Sequence, residues 1–346
     1  MNHQPLEQVF EVTPTGWTYG GEVVARLPDG RAVFVPFAIP GETIRIALIE
    51  EKQRYARGRL IEVVQPSSDR IQPRCQHYTM CGGCHYQHIS YENQLKIKQN
   101  ILVDQLQRIA GIAEPLVQTI QSSPNEWHYR NNMQFHPMPD GILGFQKAGS
   151  SQIIPINECF LPENAINTLW PQLQMEEIPG LNRINIRQGV DDEVMLVFEG
   201  TDPKPFEFSV DIPLSAIYSG PNGEAVLSGD PCLWMEVGKQ VFRVSPGSFF
   251  QVNTPMALEM VEYLQKQLPL TPSSLLFDIY CGVGMFSAFL APMVKEVIGV
   301  ELSESACDDF AFNLDDFSTV SLYQGAAERI LPDLNLKPDI VLVDPP

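Results

Sequence analysis

The chain has 346 residues, 44% of them hydrophobic, with 42 acidic against 23 basic side chains and a net charge of −19. That length and apolar content suit two or three domains with real cores and exclude a disordered chain. No apolar run approaches a membrane span, and the N-terminus MNHQPLEQVF has no basic region followed by an apolar stretch, so a cytoplasmic protein without a membrane partner is expected.

The charge is unevenly spread. Residues 51–110 hold nine Lys/Arg against five Asp/Glu, whereas residues 185–346 hold eight against 24. A polyanion would meet the N-terminal third first. The acidic excess of the C-terminal half reads as a solvated, solubilising surface.

Residues 1–65 alternate in short segments: Gly21–Arg26, Ala32–Pro36 and Glu42–Leu48, with turns at Pro28-Asp29-Gly30 and Pro40-Gly41. This predicts a small antiparallel β-barrel. A last strand, Ala56 to Val64, follows Lys52, Arg54, Arg57 and Arg59, with Tyr55 interleaved. Basic and aromatic side chains mixed in this way suit single-stranded nucleic acid; a solvated basic edge is the plainer alternative.

Next comes the run C-Q-H-Y-T-M-C-G-G-C, holding Cys75, Cys81 and Cys84, with Cys159 far downstream. Gly82 and Gly83 let the backbone wrap so that N–H groups point at sulfur. The spacing suits a four-thiolate iron–sulfur cluster. Structural zinc is the rival, with four cysteines or with three and a histidine such as His77 or His85. A disulfide is disfavoured without an export segment.

A helix is predicted over Tyr91 to Ala110, where Leu95, Leu102, Leu106 and Ile109 recur at helical spacing and Gly111 ends the run. Residues 115–250 are richer in strands. Arg183–Arg187 and Glu193–Glu199 alternate as half-buried strands do. A helix from about Pro255 to Leu268 leads into an α/β style of sequence. There, Leu275–Tyr280 is a buried strand, Cys281-Gly282-Val283-Gly284 a turn, Met285–Met293 a helix and Val297–Glu301 the next strand. Phe310, Leu314 and Phe317 mark a helix, and Val320–Tyr323 and Asp339–Val343 further strands. Strands alternating with helices imply a parallel sheet with its ligand at the carboxyl ends.

Gly282 and Gly284 allow a hard turn against a ligand, and Glu301 ends the second strand, where a carboxylate can accept from both ribose hydroxyls. A dinucleotide fingerprint wants a third glycine, but Ser287 stands there. With Asp278, Glu301 and the final Asp344-Pro345-Pro346, the pattern fits S-adenosylmethionine better, since that cofactor has no pyrophosphate to cradle.

Taken together, Pro73-Arg74-Cys75 through Cys84, Tyr91-x-x-Gln94-Leu95-x-x-Lys98, Tyr129-Arg130-Asn131, Ser245 through Asn253, Asp278 through Gly284 and Asp344-Pro345-Pro346 form a specific set. The chain resembles the RNA uracil-C5 methyltransferases that carry an N-terminal TRAM domain and an iron–sulfur cluster, and the resemblance runs from the barrel to the last residue. It implies an α/β protein in three parts. These are an OB-like TRAM β-barrel over 1–66, an α+β central domain with the cysteine loop over 67–250, and the first part of a Rossmann-like methyltransferase domain over 251–346. Helix 91–110 is a candidate to pack on the last. The resemblance also implies that Gln251, Tyr280, Glu301 and Asp344 line the S-adenosylmethionine site and that Cys75, Cys81, Cys84 and Cys159 ligate a 4Fe-4S cluster. Two positions depart from the family: Asn132, where lysine is common, and Met285, where a small or polar residue is.

In the implied mechanism a cysteine thiolate adds to uracil C6, the activated C5 takes the methyl group, and a base removes the C5 proton. The base must first leave its stack, consistent with Phe249 and Phe250 near the site, although one of the pair is expected in the core. Cys232, Cys281 and Cys307 read as structural, because nothing nearby activates them. The nucleophilic cysteine and base glutamate are therefore expected beyond Pro346, and the chain as it stands is expected to be an incomplete, inactive enzyme. The expected partner is RNA, ribosomal rather than transfer RNA, and the expected state a monomer. A non-catalytic RNA-binding protein that keeps barrel and cluster is the alternative, and a dinucleotide-dependent redox enzyme a weaker one.

Overall fold

A computed structural model describes residues 8–139, 141–173, 175–209 and 211–345. The chain forms two compact units, Met1–Ser122 with Phe145–Ile154, and Ser123–Gly144 with Pro155–Pro346.

The first unit opens with strands β1 (Val9–Val12), β2 (Gly16–Trp17), β3 (Glu22–Arg26), β4 (Ala32–Pro36), β5 (Thr43–Glu51) and β6 (Tyr55–Gln65). They form one sheet in the order β1-β5-β6-β4-β3-β2. Alternation does the folding: Val23, Ala25, Val33, Val35, Ile44 and Ile46 point inward and are all but inaccessible. Val12 and Trp17, from the two outermost strands, pack on that same core, so the sheet curls on itself. The expectation of a wholly antiparallel barrel is corrected at one pair. β4 and β6 run parallel, because β5 pairs with β1 and β6 and the chain must cross over to come back beside β4.

The fully buried Glu42 carboxylate fixes the exit from this barrel. It accepts the Ile39 and Ser67 N–H groups at 2.9 and 3.1 Å and the Arg70 guanidinium at 2.6 and 2.7 Å. The loop beyond is held by a Tyr78–His88 hydrogen bond and by backbone bonds from Gly82 to Gln146 and from Ala148 to Met80. Burial pulls His88 down to about 4, so the ring is neutral at physiological pH. Helix α1 (Tyr91–Arg108) follows. Its expected apolar stripe is not buried: no residue of the helix is fully covered, and Leu102 and Ile109 are 49% and 75% exposed.

In the second unit, β7 (Asn132–Pro137) pairs with Leu143 and Gly144 at the start of β8 (Leu143–Gln146); β8 runs on into the first-unit segment Phe145–Ile154, where it lies beside β9 (Ile153–Pro155). After helix α2 (Asn164–Leu169) come β10 (Leu181–Gln188), β11 (Val194–Gly200), β12 (Ser215–Gly220) and β13 (Gly223–Ser228), giving the order β13-β12-β11-β10-β7-β8. The half-buried alternation expected of 193–199 is replaced by burial of every residue from Val194 to Phe198, because both faces of β11 are covered. Met195 and Val197 share a core with the hairpin β14 (Leu233–Val237)–β15 (Gln240–Val244) and with Ala257, Val283 and Met285.

The remainder alternates as expected: α3 (Thr254–Gln267), β16 (Leu275–Ile279), α4 (Met285–Leu290), β17 (Glu296–Glu301), α5 (Glu304–Asn313), β18 (Val320–Gln324), α6 (Ala327–Ile330) and β19 (Ile340–Val343). The four strands are parallel in the order β18-β17-β16-β19. Three bounds shift: α4 ends at Leu290 and continues as a 3₁₀ turn, α5 ends before Leu314, and β16 ends before Tyr280.

Glu42 yields a test of the barrel's exit. Burial pushes its carboxyl up, but Arg70 and the two N–H groups outweigh this and hold it below the ordinary 4.5. The native state therefore binds fewer protons than the unfolded state as pH falls through this range. The stabilisation present above about pH 4.5 is lost as pH falls through the lower folded value. Glu42→Ala is expected to cost about 3–5 kcal/mol in urea unfolding at pH 7, by leaving Arg70 without its partner, and to flatten this acid limb.

Candidate functional site

The carboxyl ends of β16, β17, β18 and β19 and the loop 245–253 surround one cavity of about 690 Å³. Each strand delivers its own piece of the wall: Tyr280, Cys281 and Gly282 after β16, Glu301 to Ser303 at β17, Gly325 to Ala327 after β18, and Asp344 and Pro345 after β19. The loop adds Gly247, Phe249, Phe250 and Gln251. Gln251, Tyr280, Glu301 and Asp344 are thus brought to one place, with Gln251 Nε2 at 3.4 Å from an Asp344 carboxylate oxygen. Pro346 lies outside the described residues.

Glu301 organises the floor. One carboxylate oxygen accepts the Gly282 N–H at 2.9 Å, and the other accepts the Leu302 and Ser303 N–H groups at 2.7 and 2.8 Å. The first oxygen keeps acceptor capacity for a ligand hydroxyl. The two turn glycines do different work. Gly282 has φ +54° and open space where a Cβ would stand, so it is the one that leaves room for a ligand. At Gly284, φ +87°, a Cβ would lie 2.2 Å from Leu314 and 2.8 Å from Phe310, so the glycine serves packing on α5. Tyr280 also takes a left-handed backbone, φ +65°, and is partly exposed at the cavity.

Asp278 does not line the cavity with the other acids; it is buried and accepts the Ser287 hydroxyl at 2.6 Å. The serine in place of a third glycine is therefore the partner of this carboxyl. Burial drives Asp278 up, Ser287 offsets part, and the charges of Asp344 and Glu301 add, leaving it at about 6.

Among the described residues the lining includes Glu301, Glu328 and Asp344 and no Lys, Arg or His. Such a wall repels phosphate and suits a cation or a group of hydroxyls. Phe249 is 67% exposed at the cavity, while Phe250 is half-buried against Phe242, so one of the pair is core and the other is free to stack. Met285 is buried in the wall.

The loop is anchored by residues that no local pattern marks. Asn131 donates to the Gln251 carbonyl and the Thr254 hydroxyl, both at 2.9 Å, and Asn253 caps α3 by accepting the Met256 N–H. Asn132 faces Arg187 across the β7–β10 pair, and its Oδ1 is buried without a partner, as are Nε of Arg130 and of Arg187.

Burial raises all three remaining thiols, Cys307 to about 11 and Cys281 and Cys232 upward, so none is a ready thiolate near neutral pH. Cys75, Cys81 and Cys84 lie in the first unit and Cys159 in the second, all partly buried. Gly83 N–H points at Cys81 Sγ, 3.4 Å away. Among the described residues no group of three or more His, Cys, Asp or Glu side chains is placed to hold a metal ion. No described helix is long and apolar enough to cross a membrane.

Parallel strands ending on an acidic, phosphate-averse cavity define the class: a Rossmann-like methyltransferase fold preceded by a small β-barrel. Comparison with known proteins agrees. Residues 7–61 match the TRAM domain family, and residues 232–331 match the tRNA (Uracil-5-)-methyltransferase family. A protein of Thermosynechococcus vestitus described as an uncharacterized RNA methyltransferase is 30% identical over 95% of this chain and 81% of its own. One of Halalkalibacterium halodurans, described in the same words, is 31% identical over 98% and 82%. The crystal structure of Pyrococcus abyssi tRNA (uracil-54, C5)-methyltransferase in complex with S-adenosyl-L-homocysteine shares the fold, with a TM-score of 0.72 over 97% of this chain and 84% of that one, at 20% identity. The chain belongs to the RNA (uracil-5-)-methyltransferase family with an N-terminal TRAM domain.

Asp278 provides the test of the site's electrostatics. Its ionisation is opposed by burial, so the native state holds a proton that the unfolded state has released between about pH 3.8 and 6. Stability should fall as pH rises through that window, by roughly 3 kcal/mol. Asp278→Asn should remove that slope in urea titrations at successive pH values.

Proposed function

We propose that the cavity at the strand ends binds S-adenosylmethionine and that the protein directs its methyl group to uracil C5 in RNA, ribosomal RNA in the first instance. The observation that carries this reading is the cavity wall. It joins Gln251, Tyr280, Glu301 and Asp344, carries acids and no base, and leaves open space over Gly282. Bound there, the cofactor supplies an activated methyl group on a sulfonium centre. The chain's own residues do the rest. The Glu301 oxygen not committed to Leu302 and Ser303 would accept from the ribose hydroxyls of the cofactor, and Gln251 and Asp344 would line the same cavity beside it. Phe249 offers a face on which a base can stack. The raised thiols of Cys232, Cys281 and Cys307 are unsuited to attack uracil C6. The TRAM-type barrel, with Arg54, Arg57, Arg59 and Tyr55, meets the RNA backbone.

The division into a barrel at 1–66, a central domain at 67–250 and a methyltransferase part from 251 is the working arrangement in this reading. Transfer RNA is the second substrate reading, favoured by the description of the family matched at 232–331. Cys75, Cys81, Cys84 and Cys159 form the proposed 4Fe-4S ligand set, supported by their spacing and by the Gly83 N–H aimed at Cys81. No chemical step passes through that centre. Iron and sulfide analysis of anaerobically purified protein should find both; zinc alone would replace this part of the reading.

Calorimetry with S-adenosylhomocysteine tests the cavity. Glu301→Ala is expected to weaken binding at least tenfold, about 1.4 kcal/mol or more, and an unchanged affinity would sink the assignment. Binding of labelled ribosomal and transfer RNA transcripts, compared at one salt concentration, separates the two substrate readings. Tighter binding of the transfer RNA would overturn the ribosomal preference.

A further inference from the structure

Asp309 lies on α5 beside an exposed neighbour, Asp308, yet is itself fully buried. A carboxylate taken out of water must be repaid by donors. Four are present: Arg243 Nε at 2.7 Å, the Ser245 N–H at 2.7 Å, the Ser245 hydroxyl at 2.8 Å and the Ser248 hydroxyl at 2.6 Å. Three of the four belong to the turn Ser245–Ser248, which leads directly into Phe249, Phe250 and Gln251. Arg187 grips the same turn by its acceptors, donating from Nη1 to the carbonyls of Ser245 and Ser248, both at 3.1 Å. Between these two grips Gly247 is closely packed: a Cβ would lie 3.1 Å from the Ser305 hydroxyl and 3.2 Å from the Glu224 carboxylate. Asp309 is absent from the cavity lining, whereas Gly247, Phe249, Phe250 and Gln251 are part of it.

We propose that Asp309 is a positioning residue for the methyltransferase site: its buried carboxylate, opposed by Arg187, holds the turn 245–248 so that Phe249, Phe250 and Gln251 form one wall of the cofactor cavity. The proposal rests on the reading that this cavity takes S-adenosylmethionine. A neutral amide at position 309 has a single acceptor oxygen. It must surrender either the donors now on Oδ1, Arg243 and the Ser245 hydroxyl, or those on Oδ2, the Ser245 N–H and the Ser248 hydroxyl. The shape of the chain is conserved while the turn loses a grip.

The test uses the full chain with S-adenosylhomocysteine as probe, read by calorimetry, and amide hydrogen exchange over 245–251. Asp309→Asn should weaken binding at least tenfold. In a Phe249→Ala/Gln251→Ala background the same substitution should cost less than threefold, because the exposed side chains it positions are already gone. An equal penalty in both backgrounds would mark Asp309 as a stabilising residue only and overturn the proposal, as would an unchanged affinity. If Asp309→Asn does not fold, Ser248→Ala removes one donor to the same carboxylate and should weaken binding two- to fivefold; no change would count against the idea. Should the parent chain fail to bind the probe, the cofactor reading fails by itself. The exchange data then decide: faster exchange at 245–251 in Asp309→Asn with β16 unaffected upholds the positioning role, and identical exchange refutes it.

Discussion

The cavity exists because the Glu301 carboxylate folds back onto the backbone. Two parallel strands, β16 and β17, end side by side, and their departing loops would otherwise leave N–H groups without partners. Glu301 collects three of them, from Gly282, Leu302 and Ser303, and so fixes the spacing of the two turns. The glycines divide the remaining work. Gly284 brings α4 against Phe310 and Leu314, and Gly282 keeps the space above the floor clear. The other walls, including the loop held by Asn131, are built onto this floor.

The first unit rests on a similar device. Glu42, buried beneath the curled sheet, joins the turn at Ile39, the strand exit at Ser67 and the Arg70 side chain. A charge in that position costs desolvation and is repaid only by its full set of donors. The same logic recurs at Asp309. In each case a carboxylate buried in one element organises a loop that has no regular hydrogen-bonding partner of its own.

How much of this is legible in the sequence depends on the range of the interaction. Period-two alternation at Val23/Ala25 and Val33/Val35 shows the barrel strands, and the apolar runs around Phe277 and Ile298 show the parallel sheet. The parallel β4–β6 pair is not legible, since a crossover leaves no mark in either strand. The family resemblance names Gln251, Tyr280, Glu301 and Asp344, which line one cavity, but the burial of Asp278 against Ser287, nine residues away on the next helix, is not legible. The leucines of α1 have helical spacing, yet none is fully buried and Leu102 is 49% exposed, because periodicity records a face and not what covers it. Asn131, Arg187 and Asp309 act on a loop 58 to 120 residues distant, where side-chain identity alone carries no signal. The cysteine spacing is equally visible, but spacing does not state where four thiols meet.

A wall of acids with no basic side chain also distinguishes the two ends of a catalytic cycle. A sulfonium carries a positive charge, and the thioether left after transfer carries none. At about 4 Å from a carboxylate that difference is worth about 1 to 4 kcal/mol, according to how much water shares the site. In the proposed reading of this cavity as the S-adenosylmethionine site, Glu301, Asp344 and Glu328 favour the charged cofactor over its spent form. The preference weakens product inhibition and fades as salt screens the exposed part of the wall. A cavity that holds its reactant by charge releases its product by the loss of that charge, with no moving part.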